Sequence, residues 1–133
     1  MRTYLDTSAL AKLVVRERES DALRDHLERI RSDTLFTAAI TRTELVRAAR
    51  RVDAALVTTA RKVLDTLAII ETTTAVLDDA ALLDPPGLRS LDAIHLVAAQ
   101  RAGTELRSVI TYDTRMTDSA ESLAIPVVAP GLN

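Results

Sequence analysis

Four acidic side chains stand beside apolar residues rather than on evidently solvated segments: Asp6, Glu44, Asp92 and Asp113. If the fold brings them together, a bound cation or raised pKa values must offset their repulsion and desolvation. Oxygen ligands without cysteine select hard ions, so we expect Mg²⁺ or Mn²⁺ at this site. One or two such ions activate water and stabilise charge during in-line attack on a phosphodiester. The four acids therefore point to nuclease chemistry.

Each of these acids also has a purely structural interpretation. An aspartate after a strand, such as Asp6 or Asp113, is commonly a helix N-cap or a turn former. Glu44 and Asp92, which lie near the starts of predicted helices, would complement the positive ends of those helices. The sequence leaves both interpretations open, although apolar neighbours favour the catalytic one.

Basic side chains follow Glu44 on the same predicted helix. Arg47 and Arg51 lie three and seven residues after it, beside the expected metal site. We expect them to bind RNA phosphates, and the alternative is a solvated basic face in which Arg47 pairs with Glu44. The apolar side of this helix is predicted to consist of Leu45, Ala48, Ala49 and Val52.

Two other polar side chains lie close to the acids in sequence. Ser8 follows Asp6 by two residues, and its hydroxyl is expected to hold a metal-bound water, to cap the helix, or both. His95 follows Asp92 by three residues. A structural hydrogen-bonding role for His95 is favoured over that of a general base.

Short aliphatic runs alternate with longer helical segments, which is typical of an α/β fold with a parallel sheet. The predicted strands are Thr3–Leu5, Leu35–Thr37, Ala68–Ile70, Val109–Thr111 and Val127–Val128. The predicted helices are Ser8–Val14, Ser20–Arg31, Thr41–Val52, Ala55–Thr66, Thr73–Leu82, Ser90–Ala102 and Thr114–Ser122. Ligands of open parallel sheets bind at the carboxyl ends of the strands, and all four acids are expected at that edge.

Composition narrows the function classes. The 133 residues predict one domain over residues 1–133, and the absence of cysteine excludes disulfides, thiolate zinc sites and a cysteine nucleophile. An aromatic content of 2% argues against base-stacking RNA readers, and a net charge of -2 gives no basic footprint. No export or membrane signal is evident, so we expect a cytoplasmic protein without membrane contact.

Five segments together resemble the PIN-domain ribonucleases, and specifically the VapC toxins of bacterial toxin–antitoxin pairs: YLDTSALAKL, TRTELVRAARR, LRSLDAIHLVAAQ, VITYDTRM and IPVVAPG. The resemblance extends over essentially the whole chain. It implies a PIN-like α/β fold, with a central parallel sheet of four to five short strands flanked by helices. It also implies an endoribonuclease that depends on Mg²⁺ or Mn²⁺.

Matched residue by residue, the resemblance makes Asp6, Glu44, Asp92 and Asp113 the catalytic metal ligands. Ser8 matches a small polar residue of the family, and Arg115 matches an arginine that often follows the last aspartate. Asp118 is not expected to be a fifth ligand. The resemblance further implies a homodimer and a VapB-type antitoxin, bound in a groove lined by residues of Leu10–Val14 and Leu23–Ile30.

Three other functions are compatible with parts of the sequence. A haloacid dehalogenase would require a second aspartate where Ser8 stands. A non-enzymatic receiver-like signalling module also has an acidic Mg²⁺ pocket, but it normally requires a lysine after the last strand, and the lysines here are Lys12 and Lys62. A catalytically inactive binding module is disfavoured by the intact set of four acids.

Overall fold

Within residues 1–132, which the computed structural model describes, five short parallel strands form the centre of the protein. They are β1 (Arg2–Leu5), β2 (Thr34–Ala38), β3 (Ala68–Ile70), β4 (Leu106–Ile110) and β5 (Val127–Val128). Their aliphatic sequences suit strands that are covered on both faces. The predicted α/β class, the parallel sheet and the strand positions are confirmed to within a few residues.

The helices also lie close to their predicted positions. They are α1 (Thr7–Val14), α2 (Ser20–Arg29), α3 (Ile40–Val52), α4 (Leu56–Asp65), α5 (Thr74–Ala81), α6 (Ser90–Gln100) and α7 (Thr114–Ser122), with a short 3-10 turn at Gly103–Glu105. Among the helices of residues 1–132, none combines the length and apolar character needed to cross a lipid bilayer.

The strand order is β3-β2-β1-β4-β5, so β1 lies in the middle of the sheet. The chain builds outward from β1 to β2 and β3, and then crosses to the other side of β1 to form β4. The carboxyl ends of β1 and β4 therefore flank the topological switch point, where open parallel sheets bind their ligands. Leu5 pairs with Ile110 across this point, which places Asp6 and Asp113 just beyond two neighbouring strand ends.

Side chains that alternate along the strands pack into two apolar layers, one on each face of the sheet. On β1, Tyr4 enters the layer that includes residues of α6 and α7, whereas Leu5 enters the layer formed with α1 to α4. Helix α5 packs against α6. One prediction for α3 is wrong, because Val52 is 62% exposed rather than part of the apolar side. It belongs to the last turn of α3, where the helix ends at solvent.

An ion pair between the buried Asp33 carboxylate and the exposed Arg107 joins the strands at the edge opposite to the four acids. The Asp33 carboxylate accepts hydrogen bonds from Arg107 Nε and Nη2 at 2.7 and 2.9 Å, and from the Thr3 hydroxyl at 2.8 Å. The hydrogen bonds from Arg107 lower the pKa of Asp33. This cluster ties β1, β4 and the start of β2 together, far from the carboxyl ends of the strands.

Candidate active site

Asp6 is a buried carboxylate held by neutral donors. Its Oδ1 accepts hydrogen bonds from the Ala9 N–H at 3.0 Å and the Ser8 hydroxyl at 2.6 Å, which makes Asp6 the N-cap of α1. Its Oδ2 accepts from the Thr111 hydroxyl at 2.5 Å. The residue is 3% exposed, and burial raises its pKa. The N-cap interpretation is confirmed for Asp6, and the same contacts fix its carboxylate at the end of β1.

Thr111 links two of the four acids, and the sequence interpretation missed it. Its fully buried hydroxyl donates a hydrogen bond to Asp6 Oδ2 and accepts one from the Asp113 N–H at 3.1 Å. Asp113 in turn caps α7 through its Oδ1, which accepts from the Arg115 N–H at 2.9 Å. The available signal was a hydroxyl side chain at the end of the predicted strand Val109–Thr111, two residues before Asp113.

Glu44 is held by two donors on one oxygen. Its Oε1 accepts from the Thr7 hydroxyl at 2.7 Å and from His95 Nε2 at 2.8 Å. Partial burial acts to raise the pKa of Glu44, but these hydrogen bonds outweigh it and the pKa is lowered. In the part of the chain that the structure describes, Arg47 forms no ion pair with Glu44. The proposed alternative pairing is therefore wrong.

His95 is a buried hydrogen-bonding residue, as the sequence favoured. Its Nδ1 lies 2.5 Å from the Tyr4 hydroxyl, and its Nε2 bonds Glu44. The Tyr4 hydroxyl accepts from the Ala38 N–H at 3.2 Å. Burial raises the pKa of Tyr4, so the phenol keeps its proton at neutral pH. The role of Tyr4 is a second feature that the sequence interpretation missed, because a tyrosine within a strand is indistinguishable from an ordinary core residue.

Asp92 opens onto a cleft of about 320 Å³ at the start of α6. Partial burial, and then the negative charge of Asp113, raises the pKa of Asp92. Arg115 and Arg89, which line the same cleft, act in the opposite direction. The cleft is lined by Pro85, Gly87, Leu88, Arg89, Asp92, Arg115, Asp118 and Ser119. Arg115 was predicted near the acids, whereas Arg89 was missed despite standing three residues before Asp92.

The residues present fit a hard divalent cation. Within residues 1–132, no lysine or arginine forms an ion pair with any of the four acids, and burial raises the pKa of both Asp6 and Asp92. A cation would relieve both costs. Within residues 1–132, no group of three or more acidic or imidazole side chains is arranged to hold a metal ion by itself. Mg²⁺ commonly keeps several waters and uses one or two carboxylates together with substrate phosphates, so fewer protein ligands can hold it.

Exposed arginines and an apolar depression lie on α3. Arg47, Arg50 and Arg51 line an open depression of about 260 Å³. A second depression of about 260 Å³ lies between α1 and α3. It is lined by Ala11, Val14, Val15, Glu17, Leu45, Ala48, Ala49, Arg51 and Val52. The predicted groove between Leu10–Val14 and Leu23–Ile30 is wrong in part, because Leu10 and Leu23 are fully buried core residues.

Comparison with known protein families matches residues 3–121 to the PIN domain. The chain belongs to the PIN-domain family. Two curated relatives from Mycobacterium tuberculosis are 45% identical to this chain: ribonuclease VapC35 over 130 residues and ribonuclease VapC46 over 127 residues. Both matches cover 96% of this chain and 96% of the relative. A crystal structure of VapBC2 from Rickettsia felis bound to a promoter DNA fragment has a TM-score of 0.73 at 14% identity. It covers 98% of this chain and 99% of that one, and so shows the shared fold.

These relatives place this PIN domain with the VapC-type members, which confirms the resemblance read from the sequence. The strand order argues against a receiver module. Receiver modules place the first strand between the second and the third, whereas β1 here lies between β2 and β4. The receiver-like alternative is therefore wrong. All four acids of the PIN domain lie at or next to the carboxyl edge of its sheet.

Proposed function

We propose that the protein is a Mg²⁺- or Mn²⁺-dependent endoribonuclease that acts as the toxin of a toxin–antitoxin pair. The observation that carries this proposal is a set of carboxylates at the β1/β4 switch point without a cationic partner from residues 1–132. Its 45% identity to proteins named ribonucleases supports RNA as the substrate. We assign residues 1–133 to one domain that acts in the cytoplasm, where RNA is accessible.

The proposed metal ligands are Asp6, Glu44, Asp92 and Asp113. A divalent cation at this site would lower the pKa of a water molecule and neutralise charge on the phosphodiester. Ser8 and Thr111 hold the Asp6 carboxylate between them through hydrogen bonds. Neither donor carries a charge, so a bound cation would offset the burial that raises the pKa of Asp6.

Arginines supply the positive charge for the RNA backbone. Arg115 and Arg89 border the cleft at Asp92, and we propose that they bind phosphates next to the scissile bond. Arg47 and Arg51 on α3 extend this contact to a more distant phosphate. The scarcity of aromatic residues leaves phosphate contacts, rather than base stacking, as the main source of affinity.

The oxygen source of the reaction tests this mechanism. Cleavage of a short RNA in H₂¹⁸O with Mg²⁺ is expected to place ¹⁸O on the phosphate at the cleavage site without a 2′,3′-cyclic phosphate intermediate, because water is the nucleophile. Asp6→Asn and Asp92→Asn are expected to abolish cleavage and growth toxicity without unfolding the protein. Asp65→Asn, at an exposed acid outside the site, is the matched control. A 2′,3′-cyclic phosphate product, or undiminished cleavage in EDTA, would contradict the proposal.

A VapB-type antitoxin is the proposed protein partner. We propose that it covers the apolar depression between α1 and α3, whose rim carries Glu17 and Arg51. The solved VapBC2 complex, which shares this fold, supports the choice of partner. Ala48→Arg would fill the depression and is expected to prevent co-purification with the antitoxin. Unchanged co-purification would place the antitoxin elsewhere.

We also propose that the protein forms a homodimer through α5 and α6. Exposed leucines gather there, with Leu77 46%, Leu82 86% and Leu91 52% exposed. Leu77 also lines a shallow depression of about 180 Å³, together with Ala80, Ala81, Ser90 and Ile94. Exposed apolar patches of this kind commonly mark protein interfaces.

A further inference from the structure

Three side chains form a buried hydrogen-bonded chain that ends on Glu44. The Ala38 N–H donates to the Tyr4 hydroxyl, the Tyr4 hydroxyl contacts His95 Nδ1, and His95 Nε2 contacts Glu44 Oε1. Tyr4 is 0% exposed and His95 is 3% exposed. The chain of hydrogen bonds connects the end of β2, the centre of β1 and the middle of α6 to the second turn of α3.

The order of donors along this chain sets the tautomer of His95. A carboxylate oxygen only accepts, so the contact with Glu44 Oε1 requires the proton on His95 Nε2. In the neutral ring Nδ1 is then an acceptor, and the Tyr4 hydroxyl, which accepts the Ala38 N–H, donates its proton to it. Every proton along the chain therefore points toward the carboxylate.

The Tyr4 ring is fixed by its packing. Phe36 stands edge-on to it, with ring centroids 5.2 Å apart and an interplanar angle of 80°. The chain has three aromatic residues in all, and two of them form this contact. Because both rings are fully buried, the Tyr4 hydroxyl has little freedom to turn away from His95.

The two carboxylate oxygens of Glu44 differ in their hydrogen bonds. Oε1 accepts from both Thr7 and His95, whereas no donor within the described residues 1–132 bonds to Oε2. The Glu44 side chain is 27% exposed, while that of His95 is 4% exposed. One oxygen is thus held by the protein and the other is left for a ligand at the site.

We propose that Tyr4 and His95 are positioning residues that hold Glu44 by Oε1 and so leave Oε2 free to bind a divalent cation. This inference rests on the proposed function, because it assigns a role toward the divalent ion. A buried polar pair stabilises a fold little more than an apolar pair of the same shape would. Its location behind a proposed metal ligand gives it a function, since partners behind a ligand commonly set its orientation and affinity.

Metal affinity tests the inference without relying on catalysis. Mn²⁺ binding to the full chain is measured by electron paramagnetic resonance and calorimetry. Tyr4→Phe removes only the hydroxyl and is expected to raise the Mn²⁺ Kd about 10- to 100-fold. Tyr112→Phe, which removes a hydroxyl bonded to the Pro130 carbonyl at 2.7 Å, is the matched control and should leave Kd within about twofold.

Two substitutions of His95 separate orientation from simple packing. Gln carries an amide N–H that can replace the Nε2 donor, whereas Leu fills the space without one. His95→Gln is expected to bind Mn²⁺ at least about tenfold more tightly than His95→Leu. Equal affinities for the two variants, or an unchanged Kd in Tyr4→Phe, would overturn the positioning role.

The wild-type protein supplies a test that needs no substitution. ¹⁵N NMR of the His95 ring is expected to show the proton on Nε2 and an unprotonated Nδ1, and a proton on Nδ1 would overturn the inference. The failures can be told apart. If wild type neither binds Mn²⁺ nor cleaves RNA, the proposed function fails. If wild type does both and Tyr4→Phe binds Mn²⁺ normally, only the positioning role fails.

Discussion

The Thr111 hydroxyl offers a quantitative test of how the site holds a buried carboxylate. Thr111→Val keeps the shape of the side chain and removes the hydrogen bond to Asp6 Oδ2. Leaving a buried charged acceptor without this donor costs about 1.5–3 kcal/mol, and the lost acceptor for the Asp113 N–H adds about 1 kcal/mol. The free energy of unfolding in EDTA should therefore fall by about 3 kcal/mol. Over 133 residues, this corresponds to a Tm lower by roughly 10 °C.

The loss of stability in Thr111→Val should depend on pH, and the direction of this dependence follows from the pKa of Asp6. Thr111 donates to the ionised form of Asp6, so its removal raises the pKa of Asp6 further above the unfolded value. The difference in stability between wild type and Thr111→Val should therefore narrow as the pH falls and Asp6 becomes protonated.

Urea unfolding at neutral pH and at about pH 4, near the ordinary carboxyl pKa, checks both statements. Thr66→Val is the matched control, because the exposed Thr66 hydroxyl donates only to the Val63 carbonyl. Its stability should change by less than about 0.5 kcal/mol. A loss below about 1 kcal/mol in Thr111→Val, or the same loss at both pH values, would refute the reasoning.

Three other perturbations give defined outcomes. Asp33→Asn should destabilise the protein by about 2 kcal/mol at neutral pH. In urea melts the difference in unfolding free energy between wild type and Asp33→Asn should disappear in acid. The pKa of Asp33 is lowered, so its contribution to stability is lost as the pH falls and the carboxylate is protonated. Asp92→Asn should be at least as stable as wild type in EDTA, since the raised pKa of Asp92 means that its charge opposes folding. It should lose the Mn²⁺-induced stabilisation, about 2.7 kcal/mol at 100 times Kd, in thermal melts. Leu82→Glu should convert a dimer into a monomer in light scattering, and an unchanged mass would exclude the α5/α6 interface.

The sequence predicted most of the fold because the signals were local. Aliphatic runs such as Ala68–Ile70 and Val127–Val128 coincide with strands β3 and β5, and the apolar periodicity of Ser90–Gln100 matches a helix buried along most of its length. The strand order was not predictable in this way. Pairing of β1 with both β2 and β4 depends on contacts between distant segments, which carry no local signature.

The site was predictable at the level of its acids but not at the level of their partners. Asp6 and Asp113 stand out because they follow strands. Both are helix N-caps, and both are hydrogen-bonded to Thr111. Thr111 and Tyr4 do not stand out, since a threonine or tyrosine in a strand is ordinary. Their importance arises from hydrogen bonds across 105 and 91 positions of the sequence, which only the fold creates.

The most direct test of the central claim is RNA cleavage measured against Mg²⁺ concentration for wild type, Asp6→Asn and Asp65→Asn. Wild type and Asp65→Asn should show the same saturable dependence on Mg²⁺ and no cleavage in EDTA. Asp6→Asn should stay folded and inactive at every concentration. Cleavage by Asp6→Asn at the wild-type rate, or wild-type cleavage that does not depend on a divalent cation, would contradict the account.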